Sequence, residues 1–457
     1  MAENQPFFQV DFALAEFAQR RARVAETIGS GSVALLQGAP DTGAFETIRQ
    51  TNDFYYLCGV EASHAYLLIE GGSGRTTLFL PPHDPRHERS EGRMLHADAL
   101  NEVRQITGVD DVKSLAALAQ SLQNARIVYI PHSPAEGRQV CRDVALHAQK
   151  YAKADPWCVN WPPKEQRFIE KASQAAPQVE IRDLTPQLDQ MRIIKSSREV
   201  DLMRVSGRLS ALAVMEAMRC TRPGLKEFHL GAAAEYIYSV NGAMGGGYRP
   251  IIAGGANIWN AHYYRNNCVL QNGDLVLLDY APDYRYYTSD IGRMWPVNGK
   301  YNAWQRELYG FVVEYHLTLL ELIRPGVSAA QVTEEAAAKM ARVVDAQRWS
   351  SPAFERAARE MLKFQGHLSH GVGMTVHDAG DYKRQDLAPG VVFALDPQMW
   401  VPEEKLYIRV EDTVVVTQTG NENLTGLAPL QLDEVEKWMR EEGMIERLPP
   451  LAMESRS

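Results

Sequence analysis

The sequence predicts an α/β domain at the N-terminus and a larger α+β domain that contains an internal repeat. Three observations lead to this fold class. The chain has 457 residues, which exceeds the size of most single domains. Short apolar runs alternate with helical segments in the first part of the chain. In the second part, two sets of helical segments are each followed by an apolar run that ends in an aspartate.

Four short apolar runs in the first part predict buried strands, since each is bounded by glycine, proline or polar residues. Residues 115–122 predict a helix between two of these strands. The stretch "RQTNDFYYLCGV" at residues 49–60 is interpreted either as an amphipathic strand with ordinary packing or as a segment that lines a cleft. The four predicted strands are residues 32–39, 65–71, 76–82 and 126–132.

The boundary between the two domains is placed just before Leu184. Pro186 interrupts the chain there, and Ser196 and Glu199 have the spacing of a helix capping box. Apolar residues at helical spacing follow from Val200 onward. The sequence therefore predicts one domain at residues 1–183 and a second at residues 184–457.

Two pairs of similar segments indicate an internal repeat in the second domain. Aligning the two apolar runs places Asp279 over Asp396, and each aspartate is followed by a second acid, Asp290 or Glu411. We therefore expect two related half-domains, each built from a helical pair and a hairpin. The paired segments are "RPGLKEFHL" (222–230) with "RPGVSAAQV" (324–332), and "NGDLVLLDY" (272–280) with "PGVVFALDP" (389–397).

The acids of the two predicted hairpins point to a metal centre. If each hairpin closes at its polar turn, Asp279 lies opposite Asp290, and Asp396 lies opposite Glu411. Directly opposed residues have Cβ atoms about 5 Å apart, so like charges repel there. Buried carboxylates need a cationic partner or a metal. Two such pairs around an approximate two-fold axis predict a site for two divalent cations.

A histidine-rich stretch lies between the two hairpins. The segment "GHLSHGVGMTVHDAG" (366–380) contains His367, His370 and His377, and we expect one of them to join the acids as a ligand. His262, in "NAHYYRNN" (260–267), precedes the first hairpin and is expected to line the same cleft.

Four motifs together resemble the pita-bread metallopeptidases, and more narrowly the aminopeptidase P family and its relative prolidase. The resemblance covers nearly the whole chain. It implies an N-terminal α/β domain like those of creatinase and aminopeptidase P, followed by a pita-bread α+β catalytic domain with a pseudo-two-fold repeat. It also implies hydrolysis of the Xaa-Pro bond at the N-terminus of proline-containing peptides. The motifs are "RQTNDFYYLCGV", "LLDYAPDYRYYTSDIGRMWPVNGKY", "SHGVGMTVHD" and "IRVEDTVVVTQTGNENLT".

The resemblance also implies roles for individual residues. His262 and His377 would line the substrate site and stabilise charge on the scissile carbonyl oxygen, and Arg409 would orient the carboxylates. Two divalent ions would lower the pKa of water and so supply a nucleophile near neutral pH. A carboxylate-rich set with one imidazole favours Mn(II), with Zn(II) and Co(II) as alternatives. The implied metal ligands are Asp279, Asp290, His370, Asp396 and Glu411.

One position departs from the family pattern. The pattern has a glutamate followed by Pro-Gly, whereas this chain has Asp396 followed by Pro397 and Gln398. Aspartate is shorter by one methylene, or about 1.5 Å. We expect a retained metal site with altered affinity. The alternative is a catalytically weakened pseudoenzyme that binds peptides.

Two other enzyme classes are alternatives to an aminopeptidase. A prolidase cleaves dipeptides, and the sequence does not reveal the blocked cleft that this specificity needs. A creatinase-like enzyme uses the same scaffold without metal. All five implied ligand positions carry an acid or a histidine, which argues against that reading.

Composition narrows the functional class further. The formal net charge of -9 argues against nucleic-acid binding. No apolar run approaches the roughly 20 residues of a membrane span, so we expect no membrane partner. Five scattered cysteines without CxxC spacing, and an N-terminus without a signal-peptide pattern, predict a cytoplasmic protein. The resemblance implies a homo-oligomer, a dimer or a tetramer.

Overall fold

A computed structural model describes residues 8–40, 47–364 and 366–450 of the chain. The chain divides into two compact units, Met1–Arg192 and Ile193–Ser457. Within the described ranges, every helix is too short or too polar to cross a lipid bilayer.

The first unit is built on a mixed sheet of six strands with helices around it, in the order β4-β3-β2-β1-β5-β6. Strand β1 pairs antiparallel with β2 and parallel with β5. The elements in chain order are α1 (Leu14–Ile28), β1 (Ser32–Gln37), α2 (Asn52–Cys58), β2 (Tyr66–Glu70), β3 (Thr76–Leu80), α3 (Pro85–Glu91), α4 (Leu100–Thr107), β4 (Asp111–Ser114), α5 (Leu118–Leu122), β5 (Ile127–Ile130), α6 (Arg142–Ala154), α7 (Lys164–Ala175), β6 (Glu180–Asp183) and α8 (Thr185–Ile193).

The α/β class predicted for this unit is confirmed, and so are its four predicted strands, which are β1, β2, β3 and β5. The predicted helix at residues 115–122 forms as a short 3-10 turn followed by α5. Strands β4 and β6 were missed because each has four residues and is only partly buried. The strand interpretation of residues 49–60 is wrong. Most of that segment forms helix α2, in which every residue except Asp53 is buried, and the helix ends where Gly59 adopts a positive φ of 66°.

The second unit contains long helices and a sheet of strands in the order β10-β13-β9-β8-β7, with β14 added to β13 and a separate β11-β12 ribbon. Helix α9 begins at the predicted capping box, in which the Ser196 hydroxyl accepts from the backbone N–H of Glu199. The elements are α9 (Ser197–Cys220), α10 (Glu227–Val240), β7 (Ile251–Gly254), β8 (Leu275–Asp279), β9 (Ile291–Pro296), α11 (Ala303–Leu322), α12 (Ala329–Ala346), α13 (Pro352–Lys363), β10 (Val392–Leu395), β11 (Gln398–Val401), β12 (Leu406–Arg409), β13 (Glu411–Val416), β14 (Asn421–Asn423), α14 (Leu432–Trp438) and α15 (Met444–Arg447).

The internal repeat is visible in this topology. Helices α9 and α10 precede β8 and β9, and helices α11 and α12 precede β10 and β13. The two Arg-Pro-Gly segments lie at matching places, between α9 and α10 and between α11 and α12. Strands β9 and β13 are central neighbours in the sheet, with β8 and β10 outside them. The second unit therefore has an approximate two-fold arrangement that brings the two acidic hairpins together.

The two hairpins differ in register. In the second, Leu395 pairs with Asp412 and Gln398 pairs with Arg409, which leaves Asp396 level with Glu411 as predicted. In the first, Asp279 pairs with Gly292, so the prediction that Asp279 lies opposite Asp290 is wrong by two residues. The cause is the connection, which folds into its own tight turn around Arg285 and Tyr286, both with positive φ. A shift of two residues keeps the acids on one face of the sheet.

Candidate metal centre

The site is built around Gly292 in the central strand β9. Gly292 pairs with Asp279 of β8 on one side and with Glu411 of β13 on the other, and Asp290 immediately precedes β9. A Cβ atom at this position would lie 3.0 Å from Nε of Arg409 and 3.1 Å from Cβ of Glu411. The missing side chain therefore leaves the space in which the acids of neighbouring strands converge.

His370 closes the site from the loop that precedes β10. Its backbone carbonyl accepts from the N–H of Ala394 at 2.9 Å, which anchors the loop to the strand. Its Nε2 lies 3.4 Å from Oδ2 of Asp290 and 3.9 Å from Oε1 of Glu411. Ligand atoms of these three residues all lie within 4.8 Å of one another, close enough to share one metal ion. The ring of His377 packs on that of His370, with centroids 3.9 Å apart.

Arg409 and Tyr248 connect the remaining acids to this group. Nη2 of Arg409 donates to Oδ2 of Asp279 at 2.5 Å and also to Oε2 of Glu411. The hydroxyl of Tyr248 lies 2.7 Å from Oδ1 of Asp279 and 2.7 Å from Oδ1 of Asp290. Each of these two side chains therefore contacts two acids, which holds neighbouring carboxyl groups in fixed relative positions.

Asp396 follows β10 on the Arg409 side of the site. Gln398 donates through Nε2 to its Oδ2. Its Oδ1 is buried, accepts no hydrogen bond from the described residues and lies 3.7 Å from Nε of Arg409. One carboxylate oxygen is therefore held by the protein, and the other is available to a bound group.

Burial shapes the ionisation of the acids. Burial, and then the charge of Asp279, raises the pKa of Asp290 to about 8. Burial likewise raises the pKa of Glu411 and of Asp396, against the opposing effect of Arg409. One guanidinium is too little positive charge for this many buried carboxylates.

The pKa of His370 is shifted downward, in contrast to the raised pKa values of the acids. Burial, and then the nearby His377, lowers the pKa of His370 to about 3. Its imidazole is therefore neutral near pH 7, which is the form that ligates metal ions.

The donor set fits a divalent cation. Four buried carboxylates and one neutral imidazole converge on a space between two hairpins, and Oδ1 of Asp396 accepts no hydrogen bond from the described residues. Hard oxygen ligands with an imidazole suit a divalent metal, and a cation would supply the positive charge that Arg409 alone does not.

His262 is less closely tied to the site than the other predicted residues. It is exposed in the loop that precedes β8, and among the described residues no hydrogen bond, ion pair or ring contact joins it to the acids. Its predicted role, like those of the other site residues, stays a prediction.

Three contributors were not identified from the sequence. Tyr248 lies in the glycine-rich loop before β7, where no pattern distinguishes a structural tyrosine from one that contacts acids. Gln398 stands where the family pattern has a glycine, but the sequence alone does not show that its side chain contacts Asp396. Gly292 could have been identified from the sequence, because it lies two residues after Asp290 and hence on the same strand face.

The chain matches two family models. Residues 201–418 match metallopeptidase family M24, and residues 17–129 match the aminopeptidase P N-terminal domain. The chain is 34% identical to the Xaa-Pro aminopeptidase of Escherichia coli strain K12, across 93% of this chain and 97% of that protein. It is 25% identical to the human Xaa-Pro dipeptidase, across 93% of each chain.

Solved structures agree with these matches. Aminopeptidase P from E. coli with the inhibitor Pro-Leu has a TM-score of 0.76 at 30% identity, with 94% of this chain and 99% of that chain covered. Proline aminopeptidase P II from Yersinia pestis has a TM-score of 0.75 at 30% identity, with 94% and 100% covered. This chain therefore belongs to the aminopeptidase P family of metallopeptidases.

Proposed function

We propose that this protein is a metal-dependent aminopeptidase that hydrolyses the Xaa-Pro bond at the N-terminus of peptides. The observation that carries the proposal is the convergence of Asp290, His370 and Glu411 within 4.8 Å of one another, at the junction of two related hairpins. Family membership supports the same reaction.

The proposed cofactor is a pair of divalent ions, with Mn(II) favoured and Zn(II) or Co(II) as alternatives. Asp290, His370 and Glu411 would hold one ion, and the remaining positions would be completed by Asp279 and Asp396. When bound, the ions would lower the pKa of the attacking water and polarise the scissile carbonyl.

The other side chains of the site would orient the carboxylates and position the peptide. Arg409 contacts both Asp279 and Glu411, and Tyr248 contacts both Asp279 and Asp290, which would keep the spacing of the acids during turnover. His377, packed on the ring of His370, is proposed to donate toward the carbonyl oxygen as negative charge develops on it. His262 is proposed to contact the peptide from the exposed loop.

Asp396 is proposed to accept the proton of the attacking water at Oδ1. That oxygen is the one that accepts no hydrogen bond from the described residues. Burial raises the pKa of Asp396, which makes its carboxylate a stronger base than an exposed aspartate.

Hydrolysis of defined peptides tests the proposal. Metal-stripped protein is reloaded with Mn(II), Zn(II) or Co(II) and offered Xaa-Pro-Yaa tripeptides, with Xaa-Ala-Yaa as the matched control. We expect metal-dependent release of the first residue from the proline peptide only, and at least a hundredfold loss of rate in Asp290→Asn. Metal-loaded protein that leaves every Xaa-Pro peptide intact would identify a peptide-binding pseudoenzyme instead.

A dipeptidase is the second candidate activity, and the likeness to the human Xaa-Pro dipeptidase is the observation behind it. Xaa-Pro dipeptides assayed beside the tripeptides separate the two. An aminopeptidase cleaves the tripeptide at least as fast, whereas a dipeptidase cleaves only the dipeptide. The higher identity to the E. coli Xaa-Pro aminopeptidase favours the first outcome.

The remaining assignments are proposals of the same kind. Residues 184–457 would form the catalytic domain and residues 1–183 an accessory domain. The protein would act in the cytoplasm as a homo-oligomer, a dimer or a tetramer, which sedimentation of the purified protein would test.

A further inference from the structure

We propose that Gln398 is a positioning residue that holds the shortened carboxylate of Asp396 in place for the metal centre. This inference rests on the proposed function, since it concerns the same site. It goes beyond that function by explaining how a chain with aspartate at this position keeps a working ligand.

The strand geometry brings the two residues together. Gln398 lies two positions after Asp396, so both side chains are on the same face of the hairpin. Gln398 also pairs directly with Arg409 across the β11-β12 ribbon. The backbone of Gln398 is therefore fixed beside that of Arg409, just after Asp396, and Nε2 of Gln398 donates to Oδ2 of Asp396.

No other donor in the described part of the site takes this place. Nη2 of Arg409 is committed to Asp279 and Glu411, and its Nε lies 3.7 Å from Oδ1 of Asp396, beyond a good hydrogen bond. Without Gln398, neither oxygen of Asp396 would accept a hydrogen bond from these residues. The carboxylate would then be free to rotate away from the site.

The contact gives the two carboxylate oxygens of Asp396 different surroundings. Oδ2 is held by Gln398, and Oδ1 is buried without a hydrogen bond from the described residues. The side chain of Asp396 is only 5% exposed, so bulk water does not satisfy Oδ1. A neutral amide suits this position because it orients the carboxylate without adding a positive charge that would compete with a metal ion.

The two departures from the family pattern are then linked. A methylene is lost at Asp396, and a side chain is gained at Gln398, where the pattern has a glycine that cannot donate from a side chain. A glutamate at position 396 would extend about 1.5 Å further and compete with Gln398 for the same space. The effects of Asp396 and Gln398 on metal binding should therefore depend on each other. Replacing either residue alone by the family residue should weaken metal binding.

Metal binding to the full-length protein tests the inference. Isothermal titration measures the affinity and stoichiometry of Mn(II) for metal-stripped protein, and electron paramagnetic resonance reports the surroundings of the bound ion. The variants are Gln398→Met, Gln398→Gly, Asp396→Glu and the double variant Asp396→Glu/Gln398→Gly. Gln418→Met is the matched control, since Gln418 is exposed in the turn after β13. A thermal melt of each variant identifies any that fails to fold.

We expect Gln398→Met and Gln398→Gly to weaken Mn(II) binding about tenfold, in line with loss of a hydrogen bond to a charged group. Asp396→Glu should weaken it by about the same factor, because the longer acid competes with Gln398 for space. Each single variant should also change the resonance spectrum. The double variant should return to within about threefold of the original affinity, because the longer acid no longer needs the amide. Gln418→Met should bind as the unaltered protein does.

Two results would overturn the inference while leaving the proposed function standing. One is unchanged Mn(II) affinity and spectrum in both Gln398→Met and Gln398→Gly. The other is a double variant whose affinity loss equals the sum of the single losses. Failure of the unaltered protein to bind Mn(II), Zn(II) or Co(II) would instead remove the proposed function, and this inference with it.

Discussion

Gly292 and Glu411 face each other across the two central strands of the second unit, and the room for the carboxylate exists because Gly292 has no side chain. An added Cβ would lie 3.0 Å from Nε of Arg409, closer than side chains normally approach. Arg409 also holds Asp279, so a displacement here would reach both hairpins.

Gly292→Ala is therefore expected to lower metal affinity and peptide hydrolysis at least tenfold while the protein still folds, since the methyl group displaces Arg409 and Glu411. Titration with Mn(II) and a thermal melt would measure the two effects separately. Gly310→Ala is the matched control, because a Cβ at Gly310 in α11 would have no atom of the described residues within 4 Å. Equal behaviour of the two variants would contradict the expectation.

Removal of the Tyr248 hydroxyl is expected to loosen the spacing of Asp279 and Asp290. The hydroxyl lies 2.7 Å from an oxygen of each, and a hydrogen bond to a charged group contributes about 1.5–3 kcal/mol. Tyr248→Phe should lower kcat/KM on an Xaa-Pro-Yaa peptide about tenfold or more, which a steady-state assay would measure. Tyr236→Phe, at an exposed tyrosine of α10, should leave it unchanged. An unaffected rate in Tyr248→Phe would mean that this hydroxyl does not organise the acids.

The parts of the site that repeat along the chain could be predicted from the sequence. Alignment of the two apolar runs placed Asp279 and Asp396 at matching strand ends, and the capping box at Ser196 marked the start of α9. These features depend on local periodicity and on hydrogen bonds between residues a few positions apart, which a sequence displays directly.

The parts that depend on geometry between segments could not be predicted. The register of the first hairpin is set by a turn whose positive φ values fall on Arg285 and Tyr286, not on glycine or asparagine. The contact of Tyr248 with two acids joins positions more than 30 residues apart in the chain. Helix α2 was missed because its apolar residues are consecutive, and consecutive burial carries no helical period.

Metal binding is expected to release protons. Burial, and then Asp279, raises the pKa of Asp290 to about 8, so at pH 7 a metal ion must displace a proton from the acid cluster. The apparent affinity for Mn(II) should therefore rise with pH and level off above about pH 8. Titrations in two buffers of different ionisation enthalpy, at pH 6.5 and pH 8.5, would count the released protons.

The same shift has a consequence for the metal-free protein. Asp290 has a folded pKa above the value of about 3.9 for an exposed aspartate. Its contribution to stability is therefore fully present below about pH 4 and is lost as the pH rises through about 8. Asp290→Asn should remove this part of the pH dependence, as measured by denaturant unfolding of metal-free protein. An identical pH dependence in the variant would show that Asp290 is already ionised when folded.

A second buried network is expected to govern stability at low pH. Nη2 of Arg293 donates to Oδ1 of Asp412 at 2.6 Å, and Nε2 of His316 lies 2.7 Å from Oδ2, with all three side chains fully buried. Burial alone would raise the pKa of Asp412, but Arg293 and His316 outweigh it and hold the pKa well below its ordinary value. A depressed pKa contributes stability above the ordinary value of about 4, and that stability is lost as the pH falls.

Asp412→Asn should therefore lower the free energy of unfolding at pH 7 by about 3–5 kcal/mol, because it leaves the buried charge of Arg293 without its partner. The difference in free energy of unfolding between the variant and the unaltered protein should shrink as the pH falls below about 4. The depressed pKa of Asp412 stabilises the fold less and less in that range. Denaturant unfolding at pH 7 and at pH 3.5 would measure both. Asp433→Asn is the control, because Asp433 is exposed and pairs with the partly exposed Arg306 at 2.9 Å, so its removal should cost little. A loss in Asp412→Asn no larger than in this control, or one that stays the same at the lower pH, would mean that the buried pair does not stabilise the fold through its charge.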